Sequence, residues 1–236
     1  MRYMGSKGRH AKHIVPILMD GHDQTKPYIE PFLGGGNMFS AVPADIKHGS
    51  DTAEFAVALL SALSVGWQPP EVLSEERYKD IKANPSHYSP ELVGFAAYSC
   101  SYAGKFWGGY ARGNDAKGKA RNFAGEQRRA LLVQAAGLSG GGFSVSSYAD
   151  LTIPSGSTVY CDPPYANTTG YKGGFDHAPF WAWCEDLVHD GCRLFVSEYT
   201  APNNWASVWS RSTPSSLVKD TGSKVSIERL FTLTPL

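Results

Sequence analysis

The sequence predicts an α/β fold, a mostly parallel sheet flanked by helices. Three observations carry that expectation. Short strand-like runs alternate with helical patterns through short links. A strand-like Tyr28-Ile29-Glu30 runs into Pro31-Phe32-Leu33-Gly34-Gly35-Gly36, where glycines let the backbone turn tightly and approach a ligand closely. A second strand-like run, Ser157-Thr158-Val159-Tyr160-Cys161, stops at Asp162-Pro163-Pro164-Tyr165. Two prolines there stiffen the turn and remove two backbone donors.

Taken in order, the apolar spacing of Ile14, Val15, Ile17 and Leu18 predicts a helix over residues 6–19. A strand at 28–30 leads through the glycine loop into a short helix near 37–42. A weak second strand over 44–51 ends in Asp51. An acid at such a strand end can bind ribose hydroxyls, and Ser50 or Asp51 can equally cap the helical run Glu54-Phe55-Ala56-Val57-Ala58-Leu59-Leu60. Gln68-Pro69-Pro70 marks a boundary, and composition differs from there to about Gly140. That segment opens with an acidic helical stretch over 75–82. Between Phe95 and Tyr110 aromatic residues are interspersed with small, glycine and basic residues, which suits either a flexible surface that touches nucleic acid or a small aromatic core. A helix over 127–136 returns the chain to the main body. After the strand at 157–161 come a helix over 180–189, a strand over 193–197 and a last strand over 228–234.

With 236 residues, the chain suits one compact domain carrying an insert, residues 1–67 and 141–236 forming the main body and 68–140 the insert. Lys plus Arg equals Asp plus Glu, 22 each, so the total charge does not mark a nucleic-acid binder; its distribution is more informative. Residues 1–13 hold Arg2, Lys7, Arg9 and Lys12 without an acid. Lys105, Arg112, Lys117, Lys119, Arg121, Arg128 and Arg129 face only Asp115 and Glu126 in the same stretch. Such stripes attract phosphate even in a neutral protein, or form a solvated helix face. The four cysteines show no C-x-x-C spacing, which argues against a zinc site, and no metal is expected. No apolar run is long enough to span a bilayer and no secretory leader is evident. A reduced, cytoplasmic protein is the expectation.

The turn after residue 161 carries the clearest chemistry. A carboxylate, Asp162, and a backbone carbonyl can both accept hydrogen bonds from an exocyclic amino group, and Tyr165 can stack on a base. The glycine loop is not the dinucleotide fingerprint, because Asn37-Met38-Phe39 follows Gly36, and no Gly-Lys-Ser/Thr makes it a phosphate loop. Upstream, Tyr3-Met4-Gly5-Ser6-Lys7 forms a basic N-terminal motif.

In this order of motifs the chain resembles the Dam-like, D12-class DNA adenine-N6 methyltransferases, and the resemblance spans its whole length. It implies a Rossmann-like methyltransferase fold with a mainly helical target-recognition insert, S-adenosylmethionine as cofactor and double-stranded DNA as partner, with no obligatory protein partner. It implies cofactor contacts from Tyr3, Gly5, Lys7, Glu30, Phe32, Gly34, Gly36, Asp51, Asp150 and Asp162. Lys7 would pair with the methionine carboxylate, Tyr3 would cover the cofactor, Asp51 would bind the ribose, and Asp150 would meet the adenine or serve as a plain turn acid. Catalysis would rest on Asp162, Pro163, Pro164 and Tyr165, and DNA contact on the basic residues of the insert. Three positions depart from the family pattern. Tyr3 stands where Trp is usual, Asp51 sits in Ser50-Asp51-Thr52 rather than Asn-Asp-Ile-Asn, and Ser197-Glu198 replaces a Ser-Asn pair. A cytosine-N4 methyltransferase, an RNA adenine methyltransferase and a non-catalytic DNA-binding protein on the same fold are the alternatives.

Overall fold

The computed structural model describes residues 1–165, 175–214 and 225–233. Along the chain run α1 (Ala11–Met19), β1 (Tyr28–Glu30), β2 (Lys47–Asp51), α2 (Glu54–Ser64), α3 (Glu75–Ala83), α4 (Pro90–Gly94) and α5 (Phe123–Leu138). There follow β3 (Gly142–Val145), β4 (Thr158–Cys161), α6 (His177–His189), β5 (Arg193–Glu198), β6 (Ala206–Pro214) and β7 (Val225–Thr232). The strands form one seven-stranded sheet in the order β3-β2-β1-β4-β5-β7-β6. β1, β2, β3, β4 and β5 pair in parallel, while β7 lies antiparallel to both β5 and β6. The expected α/β class with a mostly parallel sheet is what the structure has.

Strand side chains alternate between two buried layers, as the pleat requires. Tyr28, Tyr160, Phe195 and Leu230 join the cluster built by α1, α2, α3 and α5. Their neighbours Ile29, Val159, Cys161, Leu194, Val196 and Phe231 join the cluster that takes in Phe180, Cys184 and Leu187 of α6. The first layer also contains Leu73, Tyr78, Ile81, Val93 and Phe95 beside Leu59, Leu60 and Leu63, so residues of 68–140 share a core with α2. Gly94 makes that approach possible. A Cβ there would lie 2.1 Å from the Phe55 carbonyl oxygen.

Several predicted elements change in detail. The helix expected over 6–19 is a 3₁₀ turn, Lys7–Arg9, capped by the Ser6 side chain, followed by α1. The one near 37–42 is only a 3₁₀ turn, Phe39–Ala41, cut short by Pro43, whose ring disfavours a helical residue before it. Phe95–Ser99 form a π-helical turn and are buried, so the aromatic-core alternative holds for that stretch. β3 and β6 were not anticipated.

β1 is the reversal point of the sheet. The chain winds outward from it through β2 to β3 and then returns to lay down β4 on its other side. In open α/β sheets, ligands bind beyond the carboxyl ends of the strands at this point. Here those ends are Glu30 and Cys161, so the glycine loop and Asp162 meet there. Among the described residues no helix is long and apolar enough to cross a membrane.

Candidate functional site

The glycine loop leaves β1 as a tight turn, with Gly34 and Gly36 at φ of 48° and 63°, a region that side chains with a Cβ rarely adopt. Asp51, at the end of neighbouring β2, fixes the loop. Its Oδ2 accepts from the Gly34 N–H at 2.7 Å and its Oδ1 from the Ala53 N–H at 2.9 Å. One carboxylate thus holds the loop and Ala53, the residue before α2. Ala53 is the helix N-cap and no side chain caps it, so the capping role expected of Ser50 or Asp51 is not taken by either. Burial pushes its carboxyl up, and the backbone N–H groups act against that push. Each oxygen keeps accepting capacity for a further donor.

The N-terminal motif lies over this loop. Asn37 Nδ2 donates to the Met1 carbonyl at 2.9 Å and to Ser6 Oγ at 2.8 Å. The Tyr3 ring sits beside Gly34, whose Cβ would lie 3.2 Å from Tyr3 Cε1, and stacks on Tyr98 with centroids 5.2 Å apart. Lys7 is buried, 7% exposed, and reaches Asp162 Oδ1 at 3.0 Å. Its ammonium also stands 4.3 Å from the centre of the Tyr165 ring, and donates to the Gly5 carbonyl at 3.3 Å. Desolvation pulls Lys7 down, but Asp162 and Glu228 outweigh it and the net shift is upward. Burial pushes Asp162 up, with Lys7 opposing. Lys7 is therefore committed to the acid at the end of β4.

Glu30 closes the site from below. It is 2% exposed, and Tyr28 Oη donates to its Oε1 at 2.6 Å. Burial raises its carboxyl to about 8. The Tyr28 hydrogen bond and, less, the Lys47 ammonium offset this only in part; that ammonium donates to the carbonyls of Phe39, Val42 and Gly137. The sign of the resulting pH dependence follows directly. Between about 4.5 and about 8 the unfolded chain has lost this proton while the folded chain keeps it, so stability falls as pH rises through that window. Glu30→Gln keeps an acceptor for Tyr28 and removes the charge. Urea denaturation is expected to show the variant matching the parent near pH 4.5 and exceeding it near pH 8, each tenfold difference in proton affinity between folded and unfolded chains being worth about 1.4 kcal/mol. A variant no more stable than the parent at the higher pH would contradict this.

Phe32 packs in an aromatic cluster with Tyr148, Phe175 and Phe180 at centroid separations of 5.4, 5.7 and 5.6 Å. Through Tyr148 it draws the 3₁₀ turn Tyr148–Asp150 to the loop after β1, leaving Asp150 exposed on that turn. Pro163 and Pro164 follow Asp162 in the turn at the carboxyl end of β4. Tyr165 stands edge-on to Tyr199, centroids 4.6 Å apart.

The basic residues of the insert divide into two groups. Arg112 makes a two-pronged pair with Glu75 at 3.0 and 2.5 Å, and Arg121 one with Glu126 at 2.9 and 2.5 Å. Arg128 donates to Gln68 Oε1 at 2.7 Å. Lys105, Lys117, Lys119 and Arg129 are exposed. Lys117 and Lys119 lie on a small turn whose backbone N–H groups are gathered by Asp115 Oδ1 at 2.8 and 3.0 Å.

Sequence reasoning assigned no role near the acid to four residues. Glu228 of β7 acts electrostatically on both Lys7 and Asp162 and lies 3.2 Å from His10 Nε2. Tyr160 Oη meets Ser197 Oγ at 2.8 Å beneath Asp162. His177 and Glu198 come from α6 and β5. No motif marks Tyr160, His177 or Glu228, and the sequence shows Glu198 only as a departure from the family's Ser-Asn pair, without its partner. Among the described residues no group of three His, Cys, Asp or Glu side chains could hold a metal ion. The chain matches no protein-family model and no curated protein sequence.

Proposed function

We propose that this protein is an S-adenosylmethionine-dependent methyltransferase acting on the N6 amino group of adenine in double-stranded DNA. The observation that carries the reading is the meeting, at the reversal point of the sheet, of the Asp162-Pro163-Pro164-Tyr165 turn with the glycine loop and the acids Glu30 and Asp51.

The residues present fit the cofactor. Glu30 is a buried carboxyl raised to about 8, and a cationic amino group seated there would relieve its desolvation. Asp51 retains acceptors for ribose hydroxyls, and Tyr3 lies over the glycines. Glu30, Gly34, Gly36, Asp51 and Tyr3 would hold the cofactor, with Asp150 and Phe32 on its flank. S-adenosylmethionine supplies, when bound, a methyl group made electrophilic by the sulfonium.

The protein's task is to make a poor nucleophile attack. The amino lone pair of adenine is delocalised into the ring. Asp162 and the Pro163 carbonyl accept its two N–H bonds and favour a more tetrahedral nitrogen, an effect of positioning and electrostatics. The Lys7 ammonium, 3.0 Å from Asp162, is already a nitrogen donor on this carboxylate. Lys7 would give up Asp162 on entry of the base and turn to the methionine carboxylate of the cofactor. Tyr165 stacks on the base, which must leave the duplex to reach this depth. Exposed on the insert, Lys105, Lys117, Lys119 and Arg129 would meet phosphates more readily than the paired Arg112 and Arg121.

Calorimetric titration tests the cofactor assignment. S-adenosylmethionine is expected to bind in a one-to-one ratio, and Asp51→Ala to weaken it by about 10- to 100-fold through lost charge-assisted hydrogen bonds. An absence of binding heat across temperatures, or full affinity in the variant, would contradict the assignment.

A further inference from the structure

Two residues from α6 and β5 converge on the catalytic turn. His177, the first residue of α6, places Nε2 3.1 Å from the Pro164 carbonyl oxygen and 3.4 Å from Glu198 Oε2. Its Nδ1 lies 3.1 Å from the Phe175 carbonyl oxygen. Glu198 is 1% exposed at the end of β5, and its Oε1 accepts from the Tyr199 N–H at 2.7 Å. Carbonyl oxygens only accept, so both contacts are hydrogen bonds when both ring nitrogens carry protons. The Glu198 carboxylate stands beside the same ring, its Oε2 3.4 Å from Nε2.

The torsions of the turn show why this contact matters. Proline rings fix φ at Pro163 and Pro164. A following proline confines the ψ of Asp162 and of Pro163 to extended values. The ψ of Pro164 is the soft torsion that remains before Tyr165, and it sets where the Pro164 carbonyl and the Tyr165 ring point. His177 grips that carbonyl from α6, and Glu198 grips His177 from β5.

We infer that His177 and Glu198 are positioning residues that lock the Asp162–Tyr165 turn in its working shape. The inference rests on the methyltransferase reading for its consequence in catalysis, and on geometry alone for the lock itself. Glu198 stands where the family pattern carries Asn, so a lock built with a carboxylate belongs to this chain. It is also separate from substrate and cofactor contact, because the ring is spent on two backbone carbonyls and a carboxylate.

The test combines turnover with amide exchange. Methyl transfer from labelled S-adenosylmethionine to unmethylated genomic DNA is measured for the parent, His177→Ala, His177→Gln and Glu198→Gln. In His177→Ala kcat is expected to fall about 10- to 100-fold, as for a small misplacement of reacting groups. KM for DNA and cofactor affinity should change by less than about twofold. Glutamine can present a donor near the Nε2 position, so His177→Gln should recover most of the loss. Glu198→Gln should fall between the parent and His177→Ala. Deuterium uptake at the amides of Asp162 and Tyr165 should rise in His177→Ala with the thermal midpoint little changed. Unchanged kcat in His177→Ala, no rescue by glutamine, or parallel loss of cofactor affinity and thermal midpoint would overturn the inference. If the parent transfers no methyl group, the functional reading fails, and amide exchange then decides the lock: faster exchange at Asp162 and Tyr165 sustains it, and unchanged exchange overturns it.

Discussion

Asp162→Asn is expected to lower methyl transfer by about 100- to 1,000-fold, the usual cost of removing one preorganised electrostatic contact to a reacting group. The substituted amide has the carboxylate's shape but lacks its charge, and it presents a donor where the amino group needs an acceptor. Asparagine is a better probe than alanine because of Lys7. That ammonium is buried and 3.0 Å from Asp162, so deleting the side chain leaves a hole as well as an unpaired charge. Cofactor affinity should persist in Asp162→Asn if Glu30 and Asp51 carry most of the binding. Single-turnover kinetics with saturating cofactor would check the effect, and a turnover close to the parent's would sink the assigned role.

Lys7→Ala should produce the largest loss of stability at the site. Removing one partner of a buried ion pair strands the other charge, at a cost of about 3–5 kcal/mol. Here the stranded group is Asp162, which burial already pushes up and which loses its main opposing influence with Lys7. Glu228 adds a second nearby carboxylate that acts in the same direction. Lys7→Ala combined with Asp162→Asn should therefore be more stable than the sum of the single losses implies. Urea denaturation of the four proteins closes the double-mutant cycle. Strict additivity would mean that the pair is not energetically coupled. The pair also explains how the protein tolerates a buried carboxylate at the end of β4: the Lys7 ammonium stands 3.0 Å from it.

Much of the fold was legible because the central strands are short apolar runs ended by strong punctuation. Tyr28–Glu30 stops at Pro31, and Thr158–Cys161 stops at Asp162-Pro163. The strands that escaped, β3 and β6, are the two edges of the sheet. β6 carries Ser207, Ser210, Arg211 and Ser212 on exposed positions, so no apolar periodicity betrays it. Edge strands face water on more sides, and the hydrophobic pattern weakens accordingly.

The site divides along similar lines. Glu30, Asp51 and Asp162 stand at strand ends beside glycine or proline, and local sequence suffices to suspect them. The Lys7–Asp162 pair joins the N-terminal motif to a residue far along the chain, and no local pattern encodes it. Arg112 and Arg121 read as free cations in sequence, yet Glu75 and Glu126 pair with them, one from a helix distant in sequence and one from the first turn of α5. His177 and Glu198 become meaningful only when β4, α6 and β5 are brought side by side. Such contacts are properties of topology, which spacing along the chain does not reveal.

The most direct test of the account is mass analysis of nucleosides from double-stranded DNA incubated with the protein and isotopically labelled S-adenosylmethionine. The account predicts labelled N6-methyladenine, absent without protein and reduced to near background by Asp162→Asn. Labelled N4-methylcytosine in its place, or no labelled nucleoside from a preparation shown to bind the cofactor, would contradict it.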